Sequence, residues 1–254
     1  MFNVDLLYPI PYMAELYHEP HFETENWIVR TFEITKDNWY AIVRDGILPG
    51  KYVSLNSKRQ NNSWDNTCMM SDTPMERFTN QEFINKAYGN VLIAGLGIGM
   101  VPAAIADKDD VESITILEID QEIIDLIEPL IRKYVPNQHK IAIIQADAYK
   151  YPKSYNGNKY DSIWLDIWPE LPNTKEDHAM FKKLFNLYKP IMVKPNFDGW
   201  GYSYASYATS CGYELNPIET KAFTKYLNDM NIEQLINKSH KLSTVTVDNR
   251  ILDL

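Results

Sequence analysis

Cysteine is nearly missing from this sequence: Cys68 and Cys211 stand alone in unrelated contexts. A disulfide-stapled scaffold and a cysteine zinc site are therefore not expected, and a reducing compartment is. Long apolar runs are missing too. No window approaches the roughly 18 apolar residues of a membrane span. The opening stretch MFNVDLLYPIPYMAELYHEPHFE carries acids and prolines where a secretory leader needs basic residues and an apolar run. The expectation is a cytoplasmic protein with no membrane partner.

Positive charge is also scarce. Lys and Arg number 25 against 34 Asp and Glu, for a formal charge of -9 and a pI of about 5.1. Affinity for nucleic acid rests on clustered Lys and Arg, so no broad nucleic-acid surface is expected. The local groups Lys51, Lys58, Arg59 and Lys182, Lys183, Lys189 read as solvated faces. An acidic protein equally suits a cationic small substrate. Glycines and prolines are scattered, which excludes collagen-like or long disordered segments. ELYHEPHFE offers Glu15, His18, Glu19, His21 and Glu23, but it lacks HExxH spacing and Pro20 interrupts it, so no metal is expected. No GxSxG or Walker pattern appears.

What is present falls into two regions. Residues 1–85 read as a small β-rich extension, with WIVRTFEI, KYVSLN and TCMMSD as strands. Thr73 and Pro74 then mark the N-cap and first position of a helix. Residues 86–254 alternate strand and helix. VLIA, SITILE, IAIIQ and SIWLD are short β-branched runs without alternation, as parallel strands buried on both faces require. In DQEIIDLIEPLIRKYV, residues Ile123, Ile124, Ile127, Leu130 and Ile131 share one helical face, with Asp120 as cap. IMVK reads as a fifth strand. In the tail, ETKAFTKYLNDMNIEQLINKSH reads as helix and LSTVTVDNRILDL as strand pairing. The fold class is α/β, a doubly wound, mostly parallel Rossmann-like sheet with an N-terminal extension.

The chemistry gathers at the C-terminal ends of those strands, where open α/β sheets bind ligands. The first ends in Gly95-Leu96-Gly97-Ile98-Gly99-Met100. Met100 stands where a dinucleotide fingerprint needs a small residue, so the GxGxG loop suits a nucleoside with an amino-acid moiety and no pyrophosphate. Glu118 ends the second strand about 20 residues on, where an acceptor-only carboxylate can take both ribose hydroxyls. Asp147 and Ala148 end the third, an acid and a backbone N–H placed for an adenine amino group and ring nitrogen. Asp166 ends the fourth, followed by Ile167, Trp168 and Pro169.

Together these stretches resemble the cofactor half of class I S-adenosylmethionine-dependent methyltransferases, in the spermidine-synthase-like branch. The VEID context of Glu118 and the DA pair at Asp147 carry that likeness. MSDTP leading into VLIAGLGIGMVP, and later DIWP, also resemble uncharacterised phage and bacterial methyltransferase-like proteins. The resemblance covers about 100 residues well, the N-terminal part loosely and the tail hardly at all. It implies S-adenosylmethionine as cofactor, held by Gly95, Gly97, Gly99, Glu118, Asp147 and Ala148, with Asp72 lining the site. It implies Asp166 as catalytic base or orienting acid, and Trp168 as an aromatic wall for the acceptor. The order acid, aromatic, proline departs from the [DNS]PP[YFW] loop of amino-methyltransferases. It also lacks the second acid of the DSxDP-like aminopropyltransferase loop, where Trp168 and Pro169 stand. The leading expectation is methyl transfer to an unidentified acceptor. Aminopropyl transfer and a non-catalytic cofactor-binding or interaction protein are the alternatives, and a homodimer is a possible assembly.

Overall fold

A computed structural model of the chain describes residues 8–38, 47–58, 68–168, 175–193 and 197–200. A short helix, α1 (Met13–Leu16), precedes an antiparallel sheet of β1 (His21–Glu23), β2 (Trp27–Ile34), β3 (Gly50–Ser57) and β4 (Cys68–Ser71), in that spatial order. Helix α2 (Pro74–Lys86) leads to β5 (Gly89–Ala94). Then follow α3 (Met100–Ile105), β6 (Val111–Glu118), α4 (Gln121–Tyr134), β7 (Ile141–Gln145), α5 (Tyr151–Ser154), β8 (Ser162–Leu165), α6 (Lys175–Tyr188) and β9 (Phe197–Gly199). The second sheet runs β7-β6-β5-β8-β9 with every pairing parallel. The chain steps outward from β5 to β7, then crosses back to β8 on the other side. That reversal places a crevice between the ends of β5 and β8.

Burial on both faces explains the unalternating sequences of β5 and β8; β7 departs from that expectation, because it is the edge strand and leaves Ala142, Ile144 and Gln145 exposed. Along β5, Val91 and Ile93 pack with α3 and with Ile123, Ile127 and Ile131 of α4. Leu92 and Ala94 pack on the opposite side with Leu184 and Tyr188 of α6. The sheet is therefore doubly wound, as expected. Asp120 caps α4, its Oδ1 accepting from Glu122 N at 3.0 Å.

Two expectations are corrected in detail. IMVK is not a strand. Lys189–Ile191 form a 3-10 turn and Met192 makes a lone bridge to Tyr160; the fifth strand is β9. Pro190 brings no N–H to a ladder, and a short apolar run bounded by proline packs as a buried turn equally well. Thr73 occupies the N-cap position of α2, but its hydroxyl meets Ser71 Oγ at 2.9 Å and caps nothing. The tail helix and strand lie outside the described residues.

The antiparallel sheet does not stand apart. Trp27, Val29, Val53, Leu55 and Met70 belong to the same apolar cluster as Val91, Ile93 and the buried face of α4. Asn26 donates to Glu122 of α4 through both its backbone N and its Nδ2, at 3.0 and 2.5 Å. No helix among the described residues is long and apolar enough to cross a membrane.

Candidate functional site

A cleft of about 340 Å³ opens over the ends of β5, β6, β7 and β8. Its lining includes Gly95, Gly97, Glu118, Asp147, Ala148, Asp166 and Trp168. Seven of the nine residues singled out in the sequence thus come together.

Gly99 and Asp72 do not line it. Gly99 adopts φ 76 at the N-cap of α3, where an added Cβ would lie 2.8 Å from Tyr17 Oη. Asp72 is 0% exposed and accepts from Met13 N at 2.7 Å and Val53 N at 2.6 Å. It knots α1 to β3 behind the cleft wall.

The glycine loop is held from outside its own strand. Gly95 has φ +98 and its Cβ position falls 1.9 Å from the Asp166 carbonyl oxygen, so only glycine lets β5 and β8 close on each other. Gly97, at φ +51, leaves room for Met70, whose Sδ lies 2.1 Å from the missing Cβ. The same sulfur accepts from Ile98 N at 3.4 Å, and the Tyr17 hydroxyl donates to Ile98 O at 3.1 Å.

Glu118 is tied to this loop: Oε2 accepts from Leu96 N at 3.0 Å, and Oε1 from Ile119 N and Asp120 N at 2.8 and 2.9 Å. Burial nevertheless pushes its carboxyl above the usual range. Asp147 accepts from Tyr149 N at 2.8 Å, which with nearby Lys150 holds its carboxyl low and ionised. Asp166 is half-buried at the mouth of β8, and desolvation, then the Glu118 carboxylate, raise it to about 7.

Several lining residues were not anticipated. Glu76, in the first turn of α2, is 8% exposed and accepts from Ser71 N at 3.0 Å. Burial and then Asp166 push its carboxyl well up. An acid in a first helical turn reads as ordinary dipole compensation, so its sequence gave no signal. Ile119 is 66% exposed, a bare apolar side chain beside Glu118 that no core requires. Trp27 donates through Nε1 to Asp120 Oδ2 at 2.8 Å. Trp200, just past β9, donates to Thr79 Oγ1 at 2.9 Å and accepts from Trp168 Nε1 at 3.0 Å through its carbonyl.

The cleft therefore has two ends. The outer one, over β6 and β7, offers Glu118, Asp147, Ile119 and Ala146. The inner one, over β8 and β9, offers Asp166, Glu76, Trp164, Trp168 and Trp200. Among the described lining residues there are five acids and no Lys, Arg or His. Chemically this fits an S-adenosyl sulfonium: acceptor-only carboxylates for hydroxyls and an amino group, an apolar side chain for a base, and negative charge for a cation. No group of three metal-ligating side chains occurs among the described residues.

Residues 69–197 match the family described as spermine/spermidine synthase domain. No curated protein sequence matches the chain. Among solved structures, it is similar to a precorrin 8W decarboxylase from Methanobacterium thermoautotrophicum at 14% identity and TM-score 0.30, covering 42% of this chain and 50% of that one. It is similar to the N-methyltransferase NodS from Bradyrhizobium japonicum at 15% identity and TM-score 0.36, covering 50% of this chain and 68% of that one. A putative caffeoyl-CoA O-methyltransferase from Staphylococcus aureus shares 17% identity at TM-score 0.37, covering 68% of this chain and 75% of that one. The chain thus spans about half the length of the first of these.

Proposed function

The chain belongs to the spermine/spermidine synthase domain family, and from that premise we propose that it transfers an alkyl group from an S-adenosyl sulfonium to an amine, with methyl transfer from S-adenosylmethionine as the first reading. The observation that carries it is Asp166, a raised carboxyl beside the raised Glu76 at the inner end of a cleft whose described lining holds no basic residue. Glu118 would accept from the ribose hydroxyls with the lone pairs its backbone donors leave over. Asp147 and the N–H of Ala148 would meet the adenine edge, and Ile119 its face. Gly95 and Gly97 shape the loop beneath the ribose and methionine part.

The donor brings an electrophilic carbon on a positively charged sulfur, and displacement there demands mostly alignment. Asp166 takes the proton of the acceptor nitrogen, a role its position near 7 suits at neutral pH. Trp168, fixed by its bond to the Trp200 carbonyl, walls the acceptor side.

Aminopropyl transfer is the second reading, and one observation favours it. A decarboxylated donor would present no carboxylate to the five acids of the lining. Against it, Trp168 holds a place where the aminopropyltransferase loop carries part of its acidic pattern.

Calorimetric titration with S-adenosylmethionine, S-adenosylhomocysteine, decarboxylated S-adenosylmethionine and NAD tests both. Micromolar binding of the first two supports methyl transfer. Preference for the decarboxylated donor, followed by spermidine formation from putrescine, supports the second reading. Silence from all four would sink both and leave an interaction protein.

A further inference from the structure

Glu76 and Asp166 reach the inner end of the cleft from different elements. On α2, Glu76, Asn80, Phe83 and Ile84 form the buried face. Trp164 on β8 and Asp166 just past its end leave the same face of the sheet, since Asp166 N continues the ladder by donating to Ala94 O at 2.8 Å. Phe83 stacks on Trp164 at 5.0 Å and 27°, which fixes helix against strand. From that stack, Glu76 lies about 10 Å back along the helix axis, and Asp166 about 7 Å onward along the strand. Both displacements lead to the cleft, which both residues line.

Two carboxylates in one desolvated corner do not both ionise at neutral pH unless a cation offsets them. The described lining supplies no Lys, Arg or His. One proton therefore stays with the pair. Glu76 is the carboxyl that keeps it, being 8% exposed where Asp166 is only half-buried. The surrounding acids favour the same order. Glu118 on β6 raises Asp166, and Asp166 in turn raises Glu76, with Asp72 ahead of α2 adding to the effect. Ser71 N already donates to Glu76 Oε1, so the retained proton belongs on Oε2. A protonated carboxyl has one O–H to give.

We propose that Glu76 is a positioning residue: as a neutral acid it donates a hydrogen bond to the Asp166 carboxylate, which then carries the pair's single charge and turns its second oxygen to the acceptor amine. When Asp166 takes the acceptor's proton, the pair becomes neutral and Glu76 keeps its own. The proposal rests on the reading of Asp166 as the base, but the state of the pair exists without donor, acceptor or turnover.

The test is a carbon-13 NMR titration of the full chain, labelled at the side-chain carboxyls of Glu or of Asp, with no ligand added. Glu76→Gln identifies the Glu76 line by its loss. Glu76 should stay protonated at neutral pH, where Asp166 titrates. Asp166→Asn should lower the Glu76 midpoint by at least about one unit, whereas Glu76→Gln, which keeps an N–H donor, should leave the Asp166 midpoint within about half a unit. A merely structural Glu76 would not produce that asymmetry. In turnover, Glu76→Ala should lower kcat about tenfold, the size expected for one lost hydrogen bond to a charged group, and Glu76→Gln should rescue most of the loss. An ionised Glu76 at neutral pH in the unaltered chain, or a Glu76 midpoint indifferent to Asp166→Asn, overturns the proposal. If the titration is as expected but no donor yields transfer, the transferase reading fails and the proton-sharing pair stands. If transfer occurs with Glu76 ionised, the pair fails alone.

Discussion

Asp166 has one environment and two measurable consequences. A base works only when ionised, so the transfer rate should climb with pH through about 7 and level above it. Asp166→Asn should remove that limb and lower kcat by about 10²- to 10⁴-fold, with S-adenosylhomocysteine affinity retained. The stability effect runs the other way. Between the ordinary 3.8 and about 7, the folded protein holds a proton that the unfolded chain releases, so stability falls as pH rises through that window. Glu76, raised by burial, acts in the same direction. The melting temperature of the unaltered protein should therefore drop more between about pH 5 and about pH 7.5 than that of Asp166→Asn. The two loop glycines differ as well. Gly95→Ala meets a backbone oxygen 1.9 Å away and should not fold. Gly97→Ala meets the flexible Met70 sulfur, so adding Met70→Ala should recover part of the lost melting temperature, the strain of φ +51 remaining.

Among elements, the glycine loop depends on α1 and β4 as much as on its own strand. Tyr17→Phe strands the buried Ile98 carbonyl, at a cost of about 1–3 kcal/mol, and should lower the melting temperature by several degrees while weakening S-adenosylhomocysteine binding. Pattern alone could not reveal this clamp, because Tyr17 and Ile98 lie 81 residues apart. What could be read was what periodicity and position encode. Strands β5 and β8 were legible because burial on both faces forces unbroken apolar runs, and β6 and β7 from their β-branched composition. Helix α4 was legible from its apolar face and Asp120 cap. Gly95, Glu118, Asp147 and Asp166 were legible as strand-end residues, since a parallel sheet brings such ends together. Glu76, Trp27 and Trp200 were not, because each reaches the cleft from an element whose place is set by packing. Asp72 misled for the mirror reason: it sits just before α2, but its carboxylate turns inward to Met13 and Val53.

For the molecule as a whole, charge and core make separate predictions. A cleft whose described lining holds five acids and no base should lose affinity for cationic ligands as salt rises, and calorimetry from roughly 50 to roughly 500 mM salt would record it. Cutting the chain before Cys68 keeps the whole stretch that matches the family. It would bare the apolar face that Val29, Val53 and Leu55 cover, and that fragment should be insoluble or lack a cooperative melt. The same shared core bears on synthesis. Trp27 waits for a partner 93 residues downstream, and Asn26 for one 96 residues downstream. At about 5–20 residues per second, the antiparallel sheet leaves the ribosome roughly 5–20 s before the helix that covers it. During that interval its apolar side faces water on a nascent chain, which makes the first third of this protein the stretch a chaperone would have to shield.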